Sequence, residues 1–142
     1  MTLTSQESTR QMPTDAGHPL TAALDWLTRP LRRRAVHRLR SAAESADTSL
    51  LASLLDPGVS VVVDSGDAEH PTVRVVGGIH DATTLLIHGM SAKAGVVVEE
   101  RPVNGQAGLM LSRGRRTVAA VTVDFVGPLV SLVWVRLQPA AA

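Results

Sequence analysis

Cysteine, tyrosine and long apolar segments are absent from this chain of 142 residues. Without cysteine, the chain can form neither disulfides nor thiolate metal sites, and a reducing cytoplasm is the expected location. No apolar run approaches the roughly 20 residues that span a bilayer, so we expect no membrane partner. Aromatic residues make up 2% of the chain, whereas proteins that bind single-stranded nucleic acids stack the bases on aromatic side chains. We therefore expect no nucleic-acid partner.

The length and the apolar content predict one folded domain. A chain of 142 residues, 44% of them hydrophobic, can bury a core without disulfides or a metal. Its first 18 residues are polar, contain turn formers and lack the apolar centre of a secretory signal. We therefore expect a disordered leader over 1–18 and a single domain over 19–142.

Positive charge is concentrated in one short stretch, although the net charge is only +1. The arginines of this stretch are Arg29, Arg32, Arg33, Arg34, Arg38 and Arg40. Such a run can contact phosphates or an acidic protein surface, or it can form the solvated face of a helix. For an interaction with a partner, the candidates are Arg32, Arg33 and Arg40.

Helical patterns occupy the first part of the chain. We predict a short helix from Pro19 to Leu27 and a second one from Leu31 to Ala46, in which apolar residues recur at helical spacing. Pro30 fits the first turn of the second helix, where its missing N–H costs little. Asp47 or Thr48 can cap a further short helix.

Short β-branched segments with tight turns predict a sheet in the rest of the chain. A hairpin is expected from strands at 59–64 and 72–76, followed by a short helix at 79–89. Four more strands are expected at 95–103, 107–113, 116–125 and 129–137. Their connections, among them an Asn-Gly pair typical of hairpins, are too short for a helix, so these strands must be antiparallel. The predicted fold class is α+β, with a curved antiparallel sheet packed on N-terminal helices.

The last two predicted strands are apolar on both faces. A one-sided antiparallel sheet would show a polar face, so the second face needs a cover. Helices can cover one face and a second copy of the chain the other, which predicts a homodimer formed through the sheet. The alternative is that the N-terminal segment of the same chain covers this face.

A resemblance to a known family rests on six segments of the sequence. The most specific is Val103–Leu109, which contains the Asn-Gly hairpin; the others are 50–59, 64–67, 75–78, 117–125 and 130–137. Together they resemble the SnoaL-like branch of the nuclear-transport-factor-2-like superfamily. Within it, the resemblance is closest to the C-terminal extension of some extracytoplasmic-function sigma factors.

The resemblance implies an NTF2-like cone with a pocket between the sheet and the helices. Such pockets are apolar with a few polar groups. The candidates to line the pocket are Asp64, Arg74, His80, His88, Asp124 and Trp134. Asp64, Asp124 and His80 are also the candidate catalytic residues, since an apolar pocket can raise the pKa of a carboxyl group and suit it to acid–base work.

Each of these candidates also has a purely structural interpretation. Asp64 can be a turn residue that binds its own backbone, Asp124 can lie at a solvated strand end, and Trp134 can pack in the core. His80 and His88 are eight residues apart, a rise of about 12 Å along a helix, which is too far for one ion. We therefore predict no metal site and no cofactor.

The predicted function is a small-molecule-binding or regulatory module that is not catalytic and acts as a dimer. The expected partners are an apolar small molecule and a second copy of the chain. One alternative is a SnoaL-like enzyme, namely a cyclase, an isomerase or an epoxide hydrolase that uses pocket carboxylates. The tyrosine-based oxyanion hole of related ketosteroid isomerases cannot be present. Another alternative is a protein-interaction module that binds a sigma factor or RNA polymerase.

Overall fold

The computed structural model describes the backbone of residues 19–138 and the side chains of residues 28–138. The described residues divide into two units, with the boundary between Arg32 and Arg33. The predicted leader over 1–18 lies outside the described residues, and the single domain over 19–142 stays a prediction. In the part of the chain that is described, no helix has both the length and the apolar character needed to cross a membrane.

Within residues 19–138, three α-helices precede or interrupt the sheet: α1 (Pro19–Glu44), α2 (Thr48–Leu54) and α3 (Ile79–Met90). The predicted break between two helices around Pro30 is wrong, because Pro30 lies inside α1. Proline removes one helical hydrogen bond but has a φ that suits a helix. The Leu-Arg-Arg-Arg-Ala sequence that follows is made of strong helix formers.

The start of α2 is fixed by a capping side chain. Asp47 is the N-cap, and its Oδ1 accepts a hydrogen bond from the Leu50 N–H at 3.1 Å. Of the two predicted caps, Asp47 is therefore the one that is used. This cap satisfies one of the backbone donors that every helix leaves free in its first turn.

Six strands form one sheet: β1 (Leu55–Asp64), β2 (Val73–Gly77), β3 (Val97–Val103), β4 (Gln106–Arg113), β5 (Arg116–Val126) and β6 (Leu129–Leu137). Their order across the sheet is β2-β1-β6-β5-β4-β3, and the sheet is curved without closing into a barrel. The Asn-Gly hairpin between β3 and β4 is confirmed. Asn104 and Gly105 have φ values of 51° and 78°, as a two-residue hairpin turn with two positive φ angles requires.

The predicted curved sheet packed on helices is confirmed, but it is not antiparallel throughout. β1 and β6 are parallel, with Val61 opposite Val133 and Val63 opposite Val135. The other neighbouring strands are antiparallel. A tight turn forces its two strands to be antiparallel, whereas α3 and four further strands separate β1 from β6 along the chain. The direction of this one pair is therefore not set by a turn.

The two faces of the sheet differ because side chains alternate along each strand. We call the face that carries Val61, Val121 and Val133 the inner face, and the opposite one the outer face. These three valines belong to the buried core, together with Leu39 of α1 and Leu86 of α3. The helices therefore cover the inner face.

Substitution of Leu51 tests this core, since Leu51 is fully buried in α2 whereas the neighbouring Leu50 is 39% exposed. We expect Leu51→Ala to lower the free energy of unfolding by about 2–5 kcal/mol, through lost burial and the cavity left behind. Leu50→Ala should change it by less than about 1 kcal/mol. Urea denaturation of both variants provides the measurement, and equal losses would contradict the assigned packing of α2.

An apolar cavity on the inner face

A cavity of about 300 Å³ lies between α3 and the inner face of the sheet. Thirteen of the described residues line it: Val63, Leu85, Leu86, Gly89, Met90, Val96, Leu111, Arg113, Val118, Ala119, Val121, Val135 and Leu137. They come from α3, from four neighbouring strands and from the segment before β3. The core residues named above continue directly into this lining.

Two of the residues that line the cavity are small. Gly89, in the last turn of α3, has open space where a side chain would begin. Ala119 of β5 is almost fully buried and contributes a single methyl group. A protein interior normally fills such space with side chains, and none of the described side chains fills it here.

The lining suits an apolar guest. Leu86, Ala119 and Val121 are buried and form the inner part of the cavity, whereas Leu137 is 40% exposed and Arg113 is also exposed. The latter two therefore mark the mouth. Among the described lining residues Arg113 alone carries a charge, and its Nη2 donates to the Ala94 carbonyl oxygen at 3.3 Å. An apolar molecule would exchange water for apolar contacts here.

The predicted pocket residue Asp64 lies on the outer face, because its neighbour Val63 lines the cavity. Its Oδ1 accepts the Gly66 N–H at 2.9 Å, which is the turn interaction of the structural interpretation. Its Oδ2 lies 3.8 Å from Nη2 of Arg136. Asp64 is thus separated from the cavity by the sheet.

Asp124 and Trp134 are also on the outer face. Asp124 is exposed and follows Val123, which belongs to the core. Trp134 is 39% exposed and lies between Val62 and Thr122 on the neighbouring strands. It therefore neither closes the cavity nor packs in the core.

The other three predicted pocket residues, Arg74, His80 and His88, are exposed. None of the six candidates is among the residues that line the cavity. The structure does not bring Asp64, Asp124 and His80 together, since the two aspartates are on the outer face and His80 lies in the first turn of α3, on the other side of the sheet. A catalytic or ligand-binding role for these residues stays a prediction.

A charged cluster on the inner face was missed from the sequence. Glu100 of β3 accepts hydrogen bonds at Oε2 from His37 Nδ1 at 2.6 Å and from Arg40 Nη1 at 2.9 Å. Arg40 Nε also lies 3.2 Å from Glu44 Oε1. The sequence did contain a signal for this cluster. Glu100 comes two residues after the buried Val98 on the same strand, so both side chains are on the inner face. Arg40, predicted as an interaction residue, is therefore engaged within the fold, whereas Arg32 and Arg33 are exposed.

The cluster lowers the pKa of the Glu100 carboxyl group. Burial by itself raises the pKa of this carboxyl group, but the hydrogen bonds from His37 and Arg40 outweigh it and leave the pKa below its ordinary value. The hydrogen bond to Glu100 raises the pKa of Arg40. Both groups are therefore charged at neutral pH, and together they link α1 to β3.

Comparison with known proteins identifies the fold. No family model matches the chain, and no curated protein matches it. The chain is similar to a putative ketosteroid isomerase from Kribbella flavida, with a TM-score of 0.56 and 15% identity over 81% of this chain and 83% of that one. It is also similar to an NTF2-like protein of unknown function from Burkholderia xenovorans, with a TM-score of 0.54 and 16% identity over 81% of this chain and 90% of that one.

A further similar structure is the extracytoplasmic function sigma factor SigJ of Mycobacterium tuberculosis. The TM-score is 0.56 and the identity 21%, over 84% of this chain and 46% of the SigJ chain. The chain thus spans less than half of that protein. At these identities the similarity shows the fold alone, and the predicted NTF2-like fold is confirmed.

The charged cluster predicts a pH-dependent stability. Because the folded-state pKa of Glu100 is lowered, its contribution is present above the unfolded-state pKa and is lost as the pH falls through the folded-state value. We expect Glu100→Gln to reduce the free energy of unfolding by about 1 kcal/mol at neutral pH, and the difference from wild type to shrink in acid. Denaturation at several pH values measures this.

The adjacent Glu99 supplies the control for this experiment. Its side chain is 64% exposed and contacts only Arg101, at 3.6 Å, among the ion pairs of the described residues. Glu99→Gln should therefore leave the stability unchanged at every pH. A loss from Glu100→Gln that persisted in acid would contradict the ion-pair explanation.

Proposed function

We propose that this chain binds an apolar small molecule in the inner-face cavity, as a binding or regulatory module without catalysis. The observation that carries the proposal is the cavity of about 300 Å³ with its almost wholly apolar lining. This volume lies at the small end of the roughly 300–1,000 Å³ typical of ligand pockets. The proposed ligand is therefore small, and burial of its apolar surface supplies the binding free energy at about 25 cal/mol per Å².

The placement of the carboxylates favours binding over catalysis. A general base must come within hydrogen-bond reach of the proton that it removes, whereas Asp64 and Asp124 are on the face opposite the cavity. The Kribbella flavida protein is named a putative ketosteroid isomerase. The present chain contains no tyrosine, so it cannot use a tyrosine-based oxyanion hole for that reaction.

The proposed module acts as a homodimer through the outer face. Val75 of β2, Val62 of β1 and Trp134 of β6 are neighbours across three strands of this face. Val75 is 64% exposed and Trp134 39%, so this row offers apolar surface to a partner. Such a row on a sheet face is typical of an interface rather than of a free surface.

An interaction with a sigma factor or RNA polymerase stays a prediction. The similarity to SigJ is a similarity of fold, and SigJ is more than twice as long as the matched part. The exposed Arg32 and Arg33 are compatible with an acidic partner, but they are equally compatible with a solvated helix face. We therefore favour the binding module.

The ligand site is tested by filling the cavity. N-phenyl-1-naphthylamine, a neutral probe that fluoresces in apolar surroundings, should bind the wild type and raise its melting temperature. Val135→Phe introduces a larger side chain at a partly buried lining position and should weaken probe binding at least about tenfold. Fluorescence titration and thermal unfolding are the measurements.

Val126→Phe is the matched control for this experiment, since Val126 is 58% exposed and does not line the cavity. It should bind the probe like the wild type. Failure of the wild type to bind the probe, or equal binding by Val135→Phe, would refute the cavity as the site.

A substitution that places a charge on the outer face tests whether the dimer forms there. We expect sedimentation equilibrium to give twice the chain mass for the wild type and the single chain mass for Val75→Glu, because a dimer would bury an unpaired carboxylate. Leu50→Glu on α2, where the leucine is 39% exposed, should remain dimeric. A monomeric wild type, or a dimeric Val75→Glu variant, would contradict the proposed interface.

A further inference from the structure

One cationic residue lies at the mouth of the cavity, and three more are close to it along the chain, across a hairpin or next to its hydrogen-bond partner. Arg113 lines the cavity, and Arg116 is its partner across the β4–β5 hairpin. Arg115 lies in the turn between them. Lys93 precedes Ala94, whose carbonyl oxygen accepts the hydrogen bond from Arg113. All four side chains are exposed.

These cations have no carboxylate partner among the described residues. The acidic groups that form ion pairs do so elsewhere: Glu44 and Glu100 on Arg40, Glu99 on Arg101, Asp64 on Arg136 and Asp67 on His70. The chain has a net charge of only +1, so four uncompensated cations at one opening are a local excess. Such a field attracts anions to the opening.

Arg113 reaches the mouth because of its position on β4. Leu109 and Leu111 precede it on the inner face, with Leu109 in the core and Leu111 in the cavity lining. The strand alternation then gives the next inner position to Arg113. Among the described residues, the Ala94 carbonyl is the one hydrogen-bond partner of this guanidinium. The other N–H donors suit a carboxylate bound in the bidentate manner typical of arginine.

We propose that the ligand is an anionic amphiphile with an apolar body and one carboxylate head group, as in a medium-chain fatty acid. The apolar body occupies the inner-face cavity, and Arg113 binds the head group at the mouth. Arg115, Arg116 and Lys93 attract the anion without touching it. This inference rests on the proposed function, since it names the class of ligand for the same cavity.

The test compares two ligands that differ only in the head group. Decanoate and 1-decanol each displace bound N-phenyl-1-naphthylamine, and the displacement gives both affinities at neutral pH. Decanoate should bind about tenfold more tightly than 1-decanol, as expected for one charge-assisted hydrogen-bonded contact. Added sodium chloride should weaken decanoate binding and leave 1-decanol binding unchanged.

Three variants test whether Arg113 is the residue that binds the carboxylate head group of decanoate. Arg113→Gln should abolish the preference for decanoate over 1-decanol, whereas Arg113→Lys, which keeps the charge, should retain part of the preference. Arg101→Gln is the control, because it removes the same charge from the outer face, where Arg101 lies opposite Gly108. This control should bind both ligands like the wild type, and thermal unfolding verifies that all variants are folded.

The outcomes separate this inference from the proposed function. Equal binding of decanoate and 1-decanol by the wild type would overturn the anionic head group but leave an apolar ligand site intact. Equal loss of decanoate binding in Arg113→Gln and Arg101→Gln would also overturn it, by showing only a general charge effect. If neither ligand displaces the probe and the probe itself does not bind, the proposed function fails as well.

A bilayer could present the same chemistry as a free amphiphile, so a further arm uses vesicles of phosphatidylglycerol. The free ligand is supported when decanoate binds below its aggregation concentration and the vesicles do not sediment the protein. Sedimentation with vesicles in the absence of decanoate binding would assign the cations to a lipid surface and overturn the inference.

Discussion

Coverage of the inner face of the sheet is the constraint on which the rest of the structure depends. This face is apolar, so it must be kept from water, and helices α1 and α3 cover it with Leu39 and Leu86. The described side chains leave a cavity next to this cover, lined among others by Gly89 and Ala119. The cavity is therefore a continuation of the core that the described residues do not fill, and an apolar guest would complete the packing.

The sheet also separates the proposed roles of the protein. The cavity uses the inner face, whereas the apolar row containing Val75 and Trp134 is on the outer face. Residues adjacent along one strand thus have different roles. Val63 lines the cavity, whereas Asp64 makes a turn hydrogen bond and an ion pair on the outer face. A ligand and a second copy of the chain would contact different surfaces, so both can bind the same molecule.

Local sequence signals predicted most of the fold, because they act over a few residues. Asp47 capped α2 as expected, and Asn104-Gly105 formed its hairpin. The parallel pairing of β1 with β6 joins segments far apart in the chain, and no local pattern specifies it. Alternation predicts that Val63 and Asp64 point to opposite faces. It could not tell which face is inner, because Val62 on the other side is apolar too. Arg113 was missed for a related reason, since it ends the predicted strand over 107–113 and the sequence did not show which face of that strand is inner.

The central claim is that the space between α3 and the inner face is the ligand site. Methyl-labelled protein titrated with decanoate and followed by two-dimensional NMR tests it most directly. Intermolecular nuclear Overhauser effects from the ligand chain should reach the methyl groups of Leu86, Val121 and Val135. Effects confined to the outer-face methyl groups of Val62 and Val75, or none at any ligand concentration, would contradict the claim.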